Sequence, residues 1–170
     1  MSMKRTIIVA LLASAAVTLT ANAATPETDY IGRFGGSWAG SGTVVRGDVP
    51  VPVNCQATGQ PAENQIAIRG NCSVAIVSVD IAADITYDPE SDRYSGTYIG
   101  AKVGPAHITG KRSGDVVNLA VTWPAPVNGD TKARMRIENS GGGNLRIVVT
   151  DNTEPGGPDL TTHDLVLSQI

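Results

Sequence analysis

"VSVDIAADITYD", residues Val77 to Asp88, puts Val77, Val79, Ile81, Ala83, Ile85 and Tyr87 on one parity and Ser78, Asp80, Ala82, Asp84, Thr86 and Asp88 on the other. Successive side chains leave a strand on opposite sides, so this run describes a strand with one apolar and one wet face. The same rhythm recurs as Val117, Leu119, Val121 and Trp123; as Ala133, Met135 and Ile137; as Leu145, Ile147 and Val149; and as Leu165 and Leu167. Turn chemistry separates the runs in "DPESD", "RSGD", "NGD", "SGGGN" and "EPGGPD". No helical period of useful length is visible after residue 23. Short strands joined in order by tight turns predict an all-β antiparallel meander. Open edges invite aggregation, so the meander is expected to close into an up-and-down barrel of about 8–10 strands, with a β-sandwich as the alternative.

The ends of the chain bound the domain. Residues Met1 to Ala23 carry Lys4 and Arg5, an apolar run from Ile7 to Leu19, and then Ala21-Asn22-Ala23. This is the layout of a secretory signal peptide cleaved after Ala23, too short for a membrane-spanning helix. Residues 24–33, "ATPETDYIGR", read as a loose lead-in, and 34–170 as a single β-barrel domain. Losing Lys4 and Arg5 takes the formal charge from −3 to −5. A mildly acidic export is a poor candidate for binding nucleic acid. The expected location is periplasmic or secreted. An outer-membrane barrel would need aromatic girdles, whereas the chain has two tryptophans, four tyrosines and one phenylalanine, none of them after Trp123. The chain is therefore not expected to span a membrane.

Cys55 and Cys72 are the only cysteines, with sixteen residues between them. An isolated pair in an oxidising compartment reads as one disulfide, and the spacing is too wide for C-x-x-C redox chemistry.

"FGGSWAGSGTV", Phe34 to Val44, invites catalytic readings that its context refuses. A Walker loop needs a lysine after the glycines, a dinucleotide fingerprint needs a helix, and a nucleophile elbow needs G-x-S-x-G. What remains is a first strand in which Phe34, Trp38 and Val44 share a face with Gly36, Gly40 and Gly42. Those glycines either make room for bulky neighbours or let a coiled strand bend round a barrel. Ser37 then has a plain strand role.

Other polar groups are sparse. His107 falls on the outward parity with Thr109 and Lys111, and His163 is in phase with Leu165 and Leu167 at a barrel end. His163 and Asp164 are adjacent on a strand and point to opposite faces, so they cannot build a Ser-His-Asp set. Two histidines do not supply a zinc site. The acidic stretch Asp88 to Asp92 has the residues a turn requires and no known calcium-loop spacing. No catalytic residue, metal site or cofactor is expected. Lys132, Arg134 and Arg136 alternate along one strand, with Arg146 on the next. They form a cationic patch usable for an anionic surface or simply for keeping a sheet soluble.

Gly36-Ser37-Trp38 resembles the G-x-W that opens the first strand of lipocalins and other calycins, where the tryptophan packs across one end of the barrel. "YSGTYIG", "HITGKRSG" and "VVNLAVTW" are similar in rhythm to the middle strands of avidins. G-x-W followed by Cys55 and by "IAIRGNC" ending at Cys72 resembles the small periplasmic metalloprotease inhibitors of bacteria. The resemblance implies a calycin-like barrel. "THDLVLSQI" lacks the arginine that packs on the lipocalin tryptophan, and there is no avidin-like set of lumen tryptophans.

Two functions follow as expectations. The first is an exported, non-enzymatic protein that holds a small, mostly apolar ligand in the barrel, with Trp38, Tyr87, Tyr98 and Trp123 lining it. The second is a periplasmic interaction protein, either a protease inhibitor or an envelope-associated module, that acts through its loops or N-terminal segment.

Overall fold

The computed structural model describes residues 26–170 apart from positions 48, 128 and 153 and the side chain of Arg46. The expected leader and its cleavage site lie outside these residues. A short helix, α1 (Pro26–Gly32), precedes ten strands: β1 (Gly36–Arg46), β2 (Val49–Ala62), β3 (Gln65–Val74), β4 (Val77–Asp88), β5 (Arg93–Ile99), β6 (Ala106–Ser113), β7 (Val116–Val127), β8 (Asp130–Asn139), β9 (Asn144–Asp151) and β10 (Leu160–Gln169). Each strand pairs antiparallel with the next in sequence, and β10 pairs with β1 to close the barrel. The meander and its closure are as expected, at the upper end of the anticipated strand number.

The alternation sets the inside. Ile85 of β4, Leu119 and Val121 of β7, Met135 of β8 and Leu167 of β10 are buried, while the residues between them face out. Each aliphatic side chain so enclosed contributes about 1.5–3 kcal/mol. The outer faces carry charge instead, including the ion pairs Arg69–Asp84 across β3–β4 and Arg146–Asp164 across β9–β10. An apolar inside and a charged outside reverse the pattern of a barrel embedded in lipid.

Two local devices hold the closure. On β1, Gly40 and Gly42 face Leu167 and Leu165 of β10. A Cβ at either glycine would lie 2.0 Å from a carbonyl oxygen of β10, that of Val166 or of Asp164. The glycines serve the close approach of two backbones at the seam, so the space they leave is filled by main chain and not by bulky side chains. On the other side of β1, Cys55 of β2 sits directly across from Cys72 of β3, and the two form the expected disulfide, with Cα atoms 4.1 Å apart.

The lead-in departs from expectation. Residues 26–32 are helical, and Tyr30 and Ile31 are buried along with the following Phe34. Seven residues give less than two full turns, too few for a hydrophobic period to show in the sequence. The segment is part of the barrel's core.

Candidate ligand-binding cavity

The chain order gives the barrel two unlike ends. The turns β2–β3, β4–β5, β6–β7 and β8–β9 lie at the end where α1 packs, together with the C-terminal end of β10. The turns β1–β2, β3–β4, β5–β6, β7–β8 and β9–β10 lie at the other.

At the α1 end the barrel is plugged. Trp38 is 3% exposed and donates from Nε1 to the carbonyl of Phe34 at 3.1 Å, so its ring packs beneath the helix. Phe34 meets Tyr30 edge-on with ring centroids 5.4 Å apart. Polar contacts fasten the plug to four separate turns or strands. Arg112 of β6 donates from Nε to both carboxylate oxygens of Glu27, at 2.8 and 3.0 Å, and Tyr94 of β5 donates its hydroxyl to the same carboxylate. Arg33 donates to Asp115 Oδ1 at 2.7 Å and to the carbonyl of Asn139 at 3.0 Å, and the Asn139 amide returns a bond to the carbonyl of Arg33. Both guanidinium groups also lie over the Tyr30 ring, at 4.8 Å for Arg112 and 5.3 Å for Arg33. Burial alone would raise the Glu27 pKa, but the bonds from Arg112 and Tyr94 outweigh it and hold the carboxyl below the usual range. Burial pushes the Tyr30 and Tyr94 phenols up, and for Tyr94 the hydrogen bond to the Glu27 carboxylate adds to it.

The other half of the barrel contains a cavity of about 320 Å3. Its wall is aliphatic: Val53, Ile68, Ile85, Ile108, Met135 and Ile147 point into it from six different strands. The Cys55–Cys72 disulfide forms part of the same wall. Small residues on the inward parity, Ala83 among them, leave the space open, and that choice distinguishes a hollow core from a filled one. Small-molecule sites of about 300–1,000 Å3 are usual, so the cavity is large enough for a compact ligand.

Besides Lys102 of the β5–β6 turn at its mouth, two polar side chains face this apolar space from opposite walls. Tyr98 lies on β5 and His163 on β10, five strands apart around a ring of ten. The Tyr98 hydroxyl lies over Gly100, where a Cβ would come within 2.0 Å of it, so glycine at that position sets the pose of the phenol. Burial pushes the Tyr98 pKa up to about 12, which keeps it a neutral donor. The register between β10 and β9 shifts between Thr161 and His163, and Thr162 uses its hydroxyl to bond the carbonyl of Val149 at 3.3 Å. The His163 Nδ1 lies 3.1 Å from that same hydroxyl. Burial lowers the His163 pKa, favouring the neutral ring. Asp164 points outward to Arg146, at 2.8 and 2.9 Å, and takes no part in the cavity.

Of the four aromatic residues expected to line the site, only Tyr98 does so. Trp38 belongs to the plug. Tyr87 is at the plugged end as well, stacked obliquely on Tyr94 with centroids 5.1 Å apart and donating to Asp92. Trp123 is buried against Tyr98, with centroids 5.9 Å apart, and its Nε1 has no acceptor among the described residues. These are corrections to the expected site. Trp38 and Tyr87 stand apart from the cavity for one reason, their height in the barrel, whereas Trp123 is level with Tyr98 and packs on that ring instead of facing the cavity. All four side chains point inward as parity requires, but parity carries no information on height along the barrel axis. His163, read as an unremarkable barrel-end residue, is the polar group that the expected site lacked. Its phase with Leu165 and Leu167 was the available signal.

The expected cationic patch is mixed in charge. Lys132, Arg134, Arg136 and Arg146 do lie on the outer faces of β8 and β9, but Arg134 pairs with Asp159, Arg136 with Glu138 and Arg146 with Asp164. His107 is exposed on β6, and the Asp88 carboxylate caps its own turn through Ser91 Oγ and the Glu90 amide.

Fold and site together define a ten-strand up-and-down barrel, plugged at one end and hollow toward the other. The barrel is similar to a solved structure, that of Rv2717c from M. tuberculosis, with a TM-score of 0.64 and 13% identity over 86% of this chain and 98% of that one. At that identity the likeness concerns architecture. No protein-family model matches the sequence, and no curated protein matches it.

Proposed function

We propose that this chain is an exported, non-enzymatic binding protein of calycin type that holds a small, mostly apolar ligand in the open half of its barrel. The cavity carries the reading: about 320 Å3 of aliphatic wall with two neutral hydrogen-bonding groups facing each other across it. Such a site suits a compact apolar molecule with one or two polar atoms, oriented by the Tyr98 hydroxyl and the His163 ring. A disulfide in the wall and a leader-like N-terminus support an oxidising compartment, periplasmic or extracellular. The interaction-protein alternative changes shape. Its N-terminal arm is tied down by Glu27 and Arg33, which leaves the loops at the open end as the surface for contact.

Native mass spectrometry and absorption spectroscopy of protein purified from its own source test the reading. A retained small molecule is the expected result, and Ala83→Trp, which fills the cavity, should cut its occupancy at least tenfold while the fold persists. Protein that emerges empty, and that also fails to take up an apolar fluorophore in an Ala83-dependent way, would overturn it.

A further inference from the structure

Seven large apolar residues are exposed among the described residues, and five of them, Val49, Ile76, Val77, Ile99 and Leu160, cluster at the open end. They come from four different turns or strand ends around the rim: β1–β2, β3–β4, β5–β6 and β9–β10. The turns at the plugged end contain no such residue. Their sequences are Glu63-Asn64, Pro89-Glu90-Ser91-Asp92, Gly114-Asp115 and Ser140-Gly141-Gly142-Gly143. The difference is sharpest at the β3–β4 hairpin, whose tip Val74-Ala75-Ile76-Val77 is wholly apolar and leaves Ile76 101% exposed. Ala75 holds that tip with a φ of 51°, a backbone region that favours glycine or asparagine. A two-residue hairpin turn is ordinarily built from Asn-Gly or Asp-Gly. Here an apolar pair stands in that place despite the backbone cost.

We propose that the open rim docks the barrel mouth-down on a lipid bilayer, with the β3–β4 tip inserted among the acyl chains. Several observations select a bilayer over a folded partner. The apolar side chains stand on separate projections round a hole, whereas a protein interface needs a contiguous, shaped patch. Among the described residues the exposed apolar rim is aliphatic, without the tryptophan and tyrosine anchors that are frequent in protein–protein contacts. Among these tips and just behind them are groups suited to the headgroup layer: Lys102 in the β5–β6 turn, Lys132 near the start of β8, and the ion pair of Arg134 with Asp159 of the β9–β10 turn. The rim is also continuous with the cavity wall, since Val77 belongs to both. An apolar molecule could therefore pass between bilayer and barrel without crossing water. That last step rests on the cavity reading; the docking does not.

Vesicle flotation is the test, using phosphatidylcholine vesicles with and without phosphatidylglycerol and the folded protein whether or not it carries ligand. Wild type should float with both kinds of vesicle. Replacing one inserted aliphatic side chain by a carboxylate should weaken partitioning about tenfold or more, so Ile76→Asp and the double variant Ile76→Asp/Val77→Asp should remain largely in the soluble fraction. Ile170→Asp, a change at another exposed isoleucine but at the plugged end, should float like wild type. Circular dichroism melts confirm that the variants are folded, and Ile76 makes no buried contact whose loss would unfold them. Wild type that fails to float with either vesicle overturns the proposal, as does equal flotation of Ile76→Asp and wild type. A wild-type dimer on gel filtration that Ile76→Asp dissolves would assign the rim to a second copy instead and would also overturn it. None of these results bears on whether the cavity retains a small molecule, so the two readings fail separately.

Discussion

The two ends of the barrel are made from the same ten strands and solve opposite problems. At the plugged end, aromatic rings fill the lumen and charged groups lock a short helix over them, so the end is dense and its turns are polar. At the open end the lumen is walled mainly by aliphatic and small side chains, with Tyr98 and His163 the aromatic groups that face it, the β3–β4 turn is apolar at its tip, and a covalent link joins β2 to β3. The contrast teaches that rigidity and capacity are divided along the axis. One half holds the fold together so that the other can afford to be hollow.

The largest test of this division is Trp38→Ala. Removing a ring buried under α1 should destabilise the protein by about 3–5 kcal/mol in chemical denaturation, while leaving the cavity wall itself intact. An unchanged midpoint would break the comparison, because it would mean that the aromatic plug is not the structural half. Next comes the disulfide. Replacing Cys55 and Cys72 together by Ala should cost about 3 kcal/mol for a loop of this size, and intact mass before and after reduction and alkylation confirms the bond in wild type. Glu27→Gln should cost about 2 kcal/mol at neutral pH, since it leaves the Arg112 guanidinium without its carboxylate partner. The folded-state pKa of Glu27 lies below its ordinary value of 4.5. Its contribution is therefore fully present above that value and fades as the pH falls through the lower folded-state pKa. Denaturation midpoints measured from neutral pH downward should show wild type and Glu27→Gln converging in acid.

His163 offers a smaller and opposite kind of test, located in the hollow half. Its folded-state pKa is lowered from 6.5, so the unfolded chain takes up a proton first as the pH falls. Stability is then fullest above about 6.5 and declines below it until the folded protein also protonates. His163→Gln should flatten that decline, a change on the order of 1 kcal/mol, and should weaken ligand retention in native mass spectra without loss of fold. Smallest of all is Ser37→Ala. One residue from Trp38 but on the outer face of β1, it should shift stability by less than about 0.5 kcal/mol. Paired denaturation curves for the two neighbours measure parity directly.

Parity is also what the sequence displays best. Val77 to Asp88, Val116 to Trp123 and Ala133 to Ile137 announce their inward faces because a strand repeats every two residues and one side is buried. The disulfide was legible for a related reason, as two cysteines in an otherwise thiol-free chain have only each other. Three things were hidden. α1 is too short to show a helical period, and its buried residues Tyr30 and Ile31 look like any apolar pair in a lead-in. The height of a side chain along the axis depends on strand tilt and register, which separates Trp38 from Tyr98 although both point inward. The hollowness of the lumen depends on how Ala83, Gly100 and their neighbours add up across ten strands, and no single strand contains that sum.

An even number of strands in an up-and-down meander returns the last strand antiparallel to the first, and here both Pro26 and Ile170 emerge on the plugged side. The chain could therefore be joined across that side by a short linker and cut anew at the β3–β4 tip without altering any strand neighbour. Such a circular permutant would carry its new termini at the mouth. A fluorophore attached there would report entry into the lumen, while the same label at Pro26 or Ile170, on the plugged side, would remain blind to it.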